Sequence, residues 1–385
     1  MVEGDVSFLS NDVLESVRGR AGEYDRTNTF FHEDLEELRA AGYLAAFVPQ
    51  EFGGSGLSLE DMTQEQMRLA GAAPATALAI NMHHVWVGVA RAVHRTGDSS
   101  MDFVLRDAAR GELFAFGVSE AGNDLVLFGS DTRATPDGHG GCAFFGTKIF
   151  TSLSPAWTRL GTFGVDNTDP QNPINVWGFV DRDPAGVTIA DDWDTLGMRA
   201  SFSCTTTLHG ALAPAERIVR RLPPGPSADP MIFGIFSTFE VLLASVYTGV
   251  AQRALDVAVA TVQRRTSKAT GTTYDQDPAI RWKLADAAIA LDAIYPQITL
   301  AARDLDAGVD RGAMWFPQLS AIKSRATETA LDVVNKAVRV SGGSSYFNRS
   351  ELSRLYRDVL AGLFHPSDDE SVHNAWATTL LGPTT

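Results

Sequence analysis

Leu113-Phe114-Ala115-Phe116-Gly117-Val118, met after a long stretch of helical rhythm, is where the chain changes character. From here to about Leu222, short runs rich in Phe, Val, Ile and Thr alternate with turn clusters. The clearest are Cys142-Ala143-Phe144-Phe145, Val176-Trp177-Gly178-Phe179-Val180 and Thr205-Thr206-Thr207-Leu208. Pro136-Asp137-Gly138 and the segment from Asp166 to Pro173 supply breaks. Strands at this spacing with no helices between them predict a β-barrel or sandwich, not alternating strand–helix units.

The flanks read as helix. Upstream, Glu33 to Ala41 has the rhythm of a helix ending at Gly42, and Ser58-Leu59-Glu60-Asp61 reads as a capping box. A third helix is expected from about Pro74 to His94, stopping at Thr96-Gly97-Asp98. Downstream, Leu222-Pro223-Pro224-Gly225-Pro226 closes the β-region. Leu243, Val246, Val250, Ala254 and Val257 then step by three or four residues, and Ala326, Ala330, Val333, Ala337 and Val340 repeat the pattern. Both stripes read as bundle core. The prediction is an α+β chain: an N-terminal helical domain over 1–112, a middle β-domain over 113–222 and a C-terminal helical bundle over 223–385.

The 385 residues carry 32 Lys and Arg against 47 Asp and Glu, a net charge of −15. That balance argues against nucleic acid and anionic lipid as partners, though a local basic pocket for a phosphorylated cofactor stays open. Met1 to Ser10 lacks a basic stretch followed by an apolar core, so no signal peptide is expected. No run of about 18 apolar residues is present, so no membrane span is expected. Cys142 and Cys204 stand alone. They suit two buried thiols in a reducing cytoplasm, not a disulfide framework or a metal site.

Four stretches carry chemistry: Pro49-Gln50-Glu51-Phe52-Gly53-Gly54-Ser55-Gly56; Gly146-Thr147-Lys148-Ile149-Phe150-Thr151-Ser152; Trp193 to Ser201, followed by Pro214 to Val219; and Gly342-Gly343-Ser344-Ser345-Tyr346 with Arg354-Leu355-Tyr356-Arg357-Asp358. Each is weak alone. In this order the sequence resembles the acyl-CoA dehydrogenase superfamily. The resemblance implies an N-terminal helical domain, a middle β-barrel domain, a C-terminal four-helix bundle and assembly as a homodimer or homotetramer. It also implies a flavin cofactor (FAD, with FMN possible), a small-molecule substrate, and a flavin reductase or electron-transfer protein as partner.

An isoalloxazine ring is flat and apolar with polar atoms along its rim, so it needs an apolar wall and a few donors. Phe150 could form the wall, with Ser152 and Ser119 supplying hydroxyls. The bland alternative is a core Phe and strand-end serines. Where the family has a longer T-E-P-x-A-G-S-D loop, this chain has Ser119-Glu120-Ala121-Gly122-Asn123-Asp124, which puts a standard acyl-thioester pocket in doubt. Asn123 and Arg199 are the substrate-side candidates. The family's R-x-x-F-G appears as Arg264-Arg265-Thr266-Ser267-Lys268, without its aromatic. Arg264 or Arg265, with Gly342 and Gly343 of a neighbouring subunit, is expected to hold the cofactor phosphates.

Beyond Arg357-Asp358, where many acyl-CoA dehydrogenases carry the Glu that removes the α-proton of a thioester, this chain has His365-Pro366-Ser367. Glu240 falls one position past the base of another branch. One step on a helix is a rotation of about 100°, so Glu240 is expected at the surface or between helices. The His365 spacing resembles the flavin-dependent monooxygenases, where a His here stabilises the oxygenated flavin or deprotonates the substrate. An imidazole that changes charge near pH 7 suits that task. That branch also tends to carry a His on the third helix, where His83 and His84 stand. The bland alternatives are a His that ends a helix and satisfied core histidines. The reading leans to a monooxygenase using reduced flavin and O₂ on a small organic substrate. Its rival is an FAD-dependent acyl-CoA dehydrogenase forming an α,β-double bond, favoured if Glu240 or Asp368 faces the flavin. A flavin-less scaffold, marked by a blocked cleft, is the third.

Overall fold

The computed structural model describes residues 7–383, so the first six residues of the Met1 to Ser10 stretch lie outside the described residues. Five helices come first: α1 (Asn11–Thr27), α2 (His32–Ala40), α3 (Leu59–Ala72), α4 (Pro74–Arg95) and α5 (Asp102–Ala109). Ser58 starts α3 through the expected box: its hydroxyl accepts from Asp61 N while the Asp61 carboxylate accepts from Ser58 N. Pro74 opens α4, where its missing N–H would have had no helical partner anyway.

Eight strands follow: β1 (Phe114–Gly117), β2 (Arg133–Pro136), β3 (Cys142–Thr151), β4 (Arg159–Asp166), β5 (Ile174–Asp181), β6 (Val187–Ile189), β7 (Cys204–Ala213) and β8 (Ile218–Leu222). They form one mixed sheet whose pairing path is β6-β7-β3-β2-β4-β5-β8, with β1 joining β4 in parallel. Its core includes Phe163 stacked on Trp177 at 4.1 Å. Trp86 of α4 donates from Nε1 to Ala115 O of β1 at 3.0 Å, which fastens the first helices to the sheet. Cys142 and Cys204 are both free and buried.

The chain then returns to helix: α6 (Pro230–Arg264), α7 (Pro278–Asp292), α8 (Tyr295–Asp306), α9 (Trp315–Ser341), α10 (Glu351–Val359) and α11 (Asp369–Leu381). The α9 stripe is buried at all five positions; the α6 stripe is buried at four, with Val257 half-buried. Two helical stretches, Pro230–Arg264 and Pro278–Asp306, are long and apolar enough to cross a membrane by length and composition. The first owes its character to burial in the bundle. The second is largely unburied and exposes Trp282 and Ile289.

Candidate active site

β3 and β7 pair until Lys148; the register then slips and resumes at Thr151, leaving Ile149 and Phe150 on a bulge. Phe150 adopts left-handed backbone, φ 56°, at a cost of about 1–2 kcal/mol for a side chain of this kind. Its ring is 57% exposed, with Trp193 edge-on at 6.3 Å. A large apolar ring held in strain toward solvent is a feature that a bound partner explains and packing does not. Ile149 N donates to Ser119 O at 2.9 Å, which sets Ser119 beside this bulge. Ser152 is buried and shares a hydrogen bond with Ser203 (2.8 Å), which in turn meets Ser201 (2.9 Å). Thr151 Oγ1 is buried with no partner among the described residues. Phe150, Ser119 and Ser152 thus gather at one end of β3: a flat apolar wall beside hydroxyls and a spare polar atom. That donor set fits a flavin ring.

Behind the wall lies a pair that sequence reasoning missed. Lys148 Nζ donates to Glu120 Oε1 at 2.6 Å, to Phe163 O at 3.0 Å and to Ser130 Oγ at 3.2 Å. Burial alone would raise the Glu120 carboxyl, but the Lys148 charge and hydrogen bonds from Lys148, Ser130 and Thr132 prevail and hold it down to about 2. Burial draws Lys148 down to about 8, against the pull of Glu120. The available signal was that two motifs, Ser119-Glu120 and Gly146-Thr147-Lys148, each carry an unexplained charge beside a strand. Asn123 belongs to the same structure. Its Nδ2 donates to Glu120 Oε2 and Gly129 O, and its Oδ1 accepts from Leu125 N. The loop itself occupies that amide.

A second cluster hangs from Lys323 of α9. Its ammonium, 1% exposed, donates to three backbone carbonyls: Gly362 (2.9 Å), His365 (3.0 Å) and Ser367 (3.3 Å). This clamp sets the turn after α10, with Ser367 in left-handed backbone. His365 Nε2 lies 2.8 Å from Tyr247 Oη. Burial, reinforced by the Lys323 charge, pulls His365 down to about 3. The half-buried imidazole is thereby biased toward its neutral form. The charge change near pH 7 expected from the sequence gives way to a neutral hydrogen-bonding role.

Glu240 is buried between helices. Ser367 donates its hydroxyl to Glu240 Oε1 at 2.5 Å and also meets Ser320 Oγ at 3.1 Å, while Glu240 Oε2 has no partner among the described residues. Burial pushes Glu240 up to about 8, partly offset by Ser367 and Lys323, and draws Lys323 down to about 8. The one-residue offset does not turn Glu240 away from the His365 turn; it places the carboxyl against Ser367 of that turn. Asp368 caps α11, accepting from Ser371 N.

The remaining candidates are scattered. His83 is a satisfied core residue, its ring nitrogens 2.8 Å from Leu44 O and 3.2 Å from Phe114 N. His84 is fully buried against the Tyr43 ring, and neither ring nitrogen has a partner among the described residues. Burial, then His83, holds it well below the ordinary range. Arg199 donates to Asp25 O, Asp194 Oδ1 and Thr195 O. Arg264 is exposed at the end of α6. Arg265 donates to Ser341 O and lies over Tyr274 at 4.9 Å. Tyr274 thus puts an aromatic ring beside an arginine here, in a chain whose local motif lost one. Gly342, φ 73°, lies close enough that an added Cβ would stand 3.2 Å from Arg265 Nη1. Arg265 and the Gly342-Gly343 turn are therefore neighbours within one chain.

Two motifs tie the segments that carry the two clusters together. A Cβ on Gly197 would stand 2.1 Å from Arg357 O, so only glycine fits where that loop meets α10. Asp358 Oδ1 accepts from Met198 N at 2.6 Å, and Arg357 grips Asp25 of α1 through two hydrogen bonds. α10, which leads to His365, is thereby fixed to the loop that leads through Ser201 and Ser203 to Ser152.

Comparison with known proteins supports the same architecture. The family described as "Acyl-CoA dehydrogenase, N-terminal domain" matches residues 11–112, and "Acyl-CoA dehydrogenase, C-terminal domain" matches 241–369. Amino sugar nitrososynthase RubN8 of Streptomyces rubradiris is 30% identical over 368 residues, covering 91% of this chain and 83% of the relative. The chain belongs to the acyl-CoA dehydrogenase family. Within that family this member also resembles KijD3, solved in complex with FMN and dTDP-3-amino-2,3,6-trideoxy-4-keto-3-methyl-D-glucose. That structure is 27% identical with a TM-score of 0.86, covering 97% of this chain and 92% of KijD3. Dibenzothiophene monooxygenase of Rhodococcus erythropolis is 25% identical over 399 residues, covering 99% of this family member and 94% of the relative.

Proposed function

We propose that this chain is a flavin-dependent monooxygenase, taking reduced flavin from a separate reductase and using O₂ on a small organic substrate. The observation that carries the reading is His365, a neutral imidazole held by Tyr247 in the turn where dehydrogenases of this family carry a carboxylate. The nitrososynthases and dibenzothiophene monooxygenase among its relatives support it. The working units are residues 1–112, 113–222 and 223–385. FAD is taken as the cofactor, with FMN, bound by KijD3, as the alternative. The flavin supplies the electrons for reaction with O₂. Phe150 would pack on the ring face, with Ser119 and Ser152 toward its rim. Arg264 or Arg265, beside Gly342 and Gly343, would meet its phosphates.

His365 would hold or pass a proton at Nδ1 while Tyr247 occupies Nε2. Lys323 keeps the turn in place, and His84, buried against the Tyr43 ring, is the further histidine candidate that the likeness to the oxygenating branch suggests. Asn123 and Arg199 shape the loops on the substrate side. Assembly as a homodimer or homotetramer and a cytoplasmic location belong to the same reading.

A second reading has one observation in its favour: Glu240 is buried with a free oxygen, as a base for an acyl-CoA α-proton would be. Burial raises that carboxyl and favours its protonated form, and Ser367 covers its other oxygen. Mixing the protein with reduced flavin and then O₂ tests the choice. A monooxygenase delays release of H₂O₂ relative to free reduced flavin. If H₂O₂ appears at the free-flavin rate while an acyl-CoA bleaches the oxidised flavin, the dehydrogenase takes its place.

A further inference from the structure

The turn that carries His365, residues 360–367, is wedged between α6 and α9. A Cβ on Gly362 would stand 2.8 Å from Thr327 of α9 and 3.0 Å from the Tyr247 ring of α6. Each helix also sends one buried ionisable side chain to this turn. From α9, Lys323 donates to the carbonyls of Gly362, His365 and Ser367. From α6, Glu240 accepts the Ser367 hydroxyl at 2.5 Å. Two helical turns further on, Tyr247 meets His365 at 2.8 Å. Lys323 and Glu240 are each 1% exposed.

An ammonium has three N–H donors, and all three of those on Lys323 go to carbonyls of the turn. None is left for a carboxylate. Glu240 Oε1 takes the Ser367 hydroxyl, while Oε2 has no partner among the described residues. A protonated carboxyl tolerates an unpaired oxygen at the cost of a hydrogen bond. A carboxylate does not, because a buried charge is costly unless it is paired. Burial accordingly raises the Glu240 carboxyl, and Lys323 is the charged side chain that pulls it back. The titratable groups on the other elements around α6 are occupied or uncharged. Tyr247 and His84 are buried and held neutral, Glu65 of α3 is paired with Arg68, and Arg354 of α10 faces Asp358 at 4.0 Å. Asp368, after the turn, and Glu328 of α9 act on Lys323.

We propose that Glu240 is a positioning residue whose charge state latches the His365 turn. Protonated, it lets Lys323 spend all three donors on the turn, and His365 stands against Tyr247. When Glu240 loses its proton to bulk water, the new carboxylate competes for the Lys323 ammonium. Lys323 can answer only by giving up a carbonyl of the turn. The turn then loosens, and His365 loses its fixed place. Ser367 is where the two grips meet: Lys323 holds its carbonyl, Glu240 holds its hydroxyl, and its backbone is left-handed at φ 61°. The latch rests on the monooxygenase reading only for the task it gives His365.

Hydrogen exchange of the full-length protein without flavin, read by mass spectrometry at pH 6 and pH 9, tests the latch. Variants are compared with the natural chain at the same pH, so the intrinsic pH dependence of exchange cancels. Glu240→Gln copies the protonated acid, and Glu240→Met fills a similar volume without charge. At pH 6 the segment 360–367 should exchange equally in the natural chain and the Gln variant. At pH 9 it should exchange tenfold or more faster in the natural chain, while the middles of α6 and α9 stay equal. Glu240→Met should keep the slow exchange at pH 9, because the charge is what loosens the turn. Equal exchange of the natural and Gln chains at pH 9, or a Met variant as loose there as the natural chain, overturns the proposal. The pH 9 contrast in a protein that releases H₂O₂ at the free-flavin rate keeps the latch and removes the monooxygenase reading. Delayed release without the contrast does the reverse.

Discussion

Tyr247 Oη stands 2.8 Å from His365 Nε2, joining the middle of α6 to a turn more than a hundred residues later. Neutral His365 has one N–H; with Nε2 engaged by the phenol, Nδ1 is left to face a reacting group. His365→Ala should release H₂O₂ in place of product while flavin affinity stays nearly the same. Losing a positioned acid–base group typically costs about 10²–10⁴-fold in rate. Tyr247→Phe should give a smaller loss in the same direction. With its folded value near 3 against an ordinary 6.5, His365 takes up its proton more readily when unfolded. The stability this contributes is full above pH 6.5 and lost as pH falls toward 3. Imidazole NMR should show no titration of His365 between pH 5 and 8; a midpoint near 6.5 would contradict the half-buried, Lys323-repelled environment.

Lys323→Met removes the only side-chain donor that the three carbonyls of the His365 turn share. Each buried acceptor left unsatisfied costs about 1–3 kcal/mol, so denaturant unfolding should shift by about 3 kcal/mol or more. Activity should fall further than stability, because the turn that positions His365 loosens. A variant as active as the natural protein would show that the clamp does not position the imidazole.

Phe150→Gly should separate stability from cofactor binding. Glycine adopts φ 56° freely, and relief of left-handed strain is worth about 1–2 kcal/mol, offset only by limited packing at a ring more than half exposed. The melting temperature should hold or rise while flavin affinity, read by fluorescence titration, drops tenfold or more. Unchanged flavin affinity would remove Phe150 from the ring site.

Glu240→Gln keeps an acceptor for Ser367 and copies the protonated acid. A carboxyl raised to about 8 in the folded chain from 4.5 unfolded costs stability progressively as pH rises from 4.5 through 8. The glutamine variant should therefore melt higher than the natural protein at pH 8 and no differently at pH 4.5. Oxygenation should be nearly unaffected. Loss of acyl-CoA turnover in this variant, with His365→Ala silent, would restore the dehydrogenase.

Replacing Arg264 and Arg265 by Ala should weaken FAD more than riboflavin, since a guanidinium near a glycine turn reads phosphate and not the ring. Equal weakening of both ligands would deny the phosphate role.

Sequence by itself determined the order of helix, strand and helix, because periods of 3.6 and 2 are written locally in Leu243 to Val257 and in Val176 to Val180. It also determined the family, since four short motifs held their order. Ser58 announced its own capping box, because a cap needs only the next three residues. Tertiary structure alone decided what the charged and polar members of those motifs do. Glu120 and Lys148 are 28 residues apart and pair only when β3 brings them together. Glu240 was expected to point away by counting from an aligned position. Its burial and its bond to Ser367 depend on how α6, α9 and the last turn pack. The protonation of His365 depends on desolvation and on Lys323, neither visible near it in sequence. Gly197 is a glycine because a carbonyl from α10 occupies the space of a Cβ. Local periodicity follows from backbone geometry within a few residues, whereas electrostatics and close approach follow from which distant segments share one low-dielectric space.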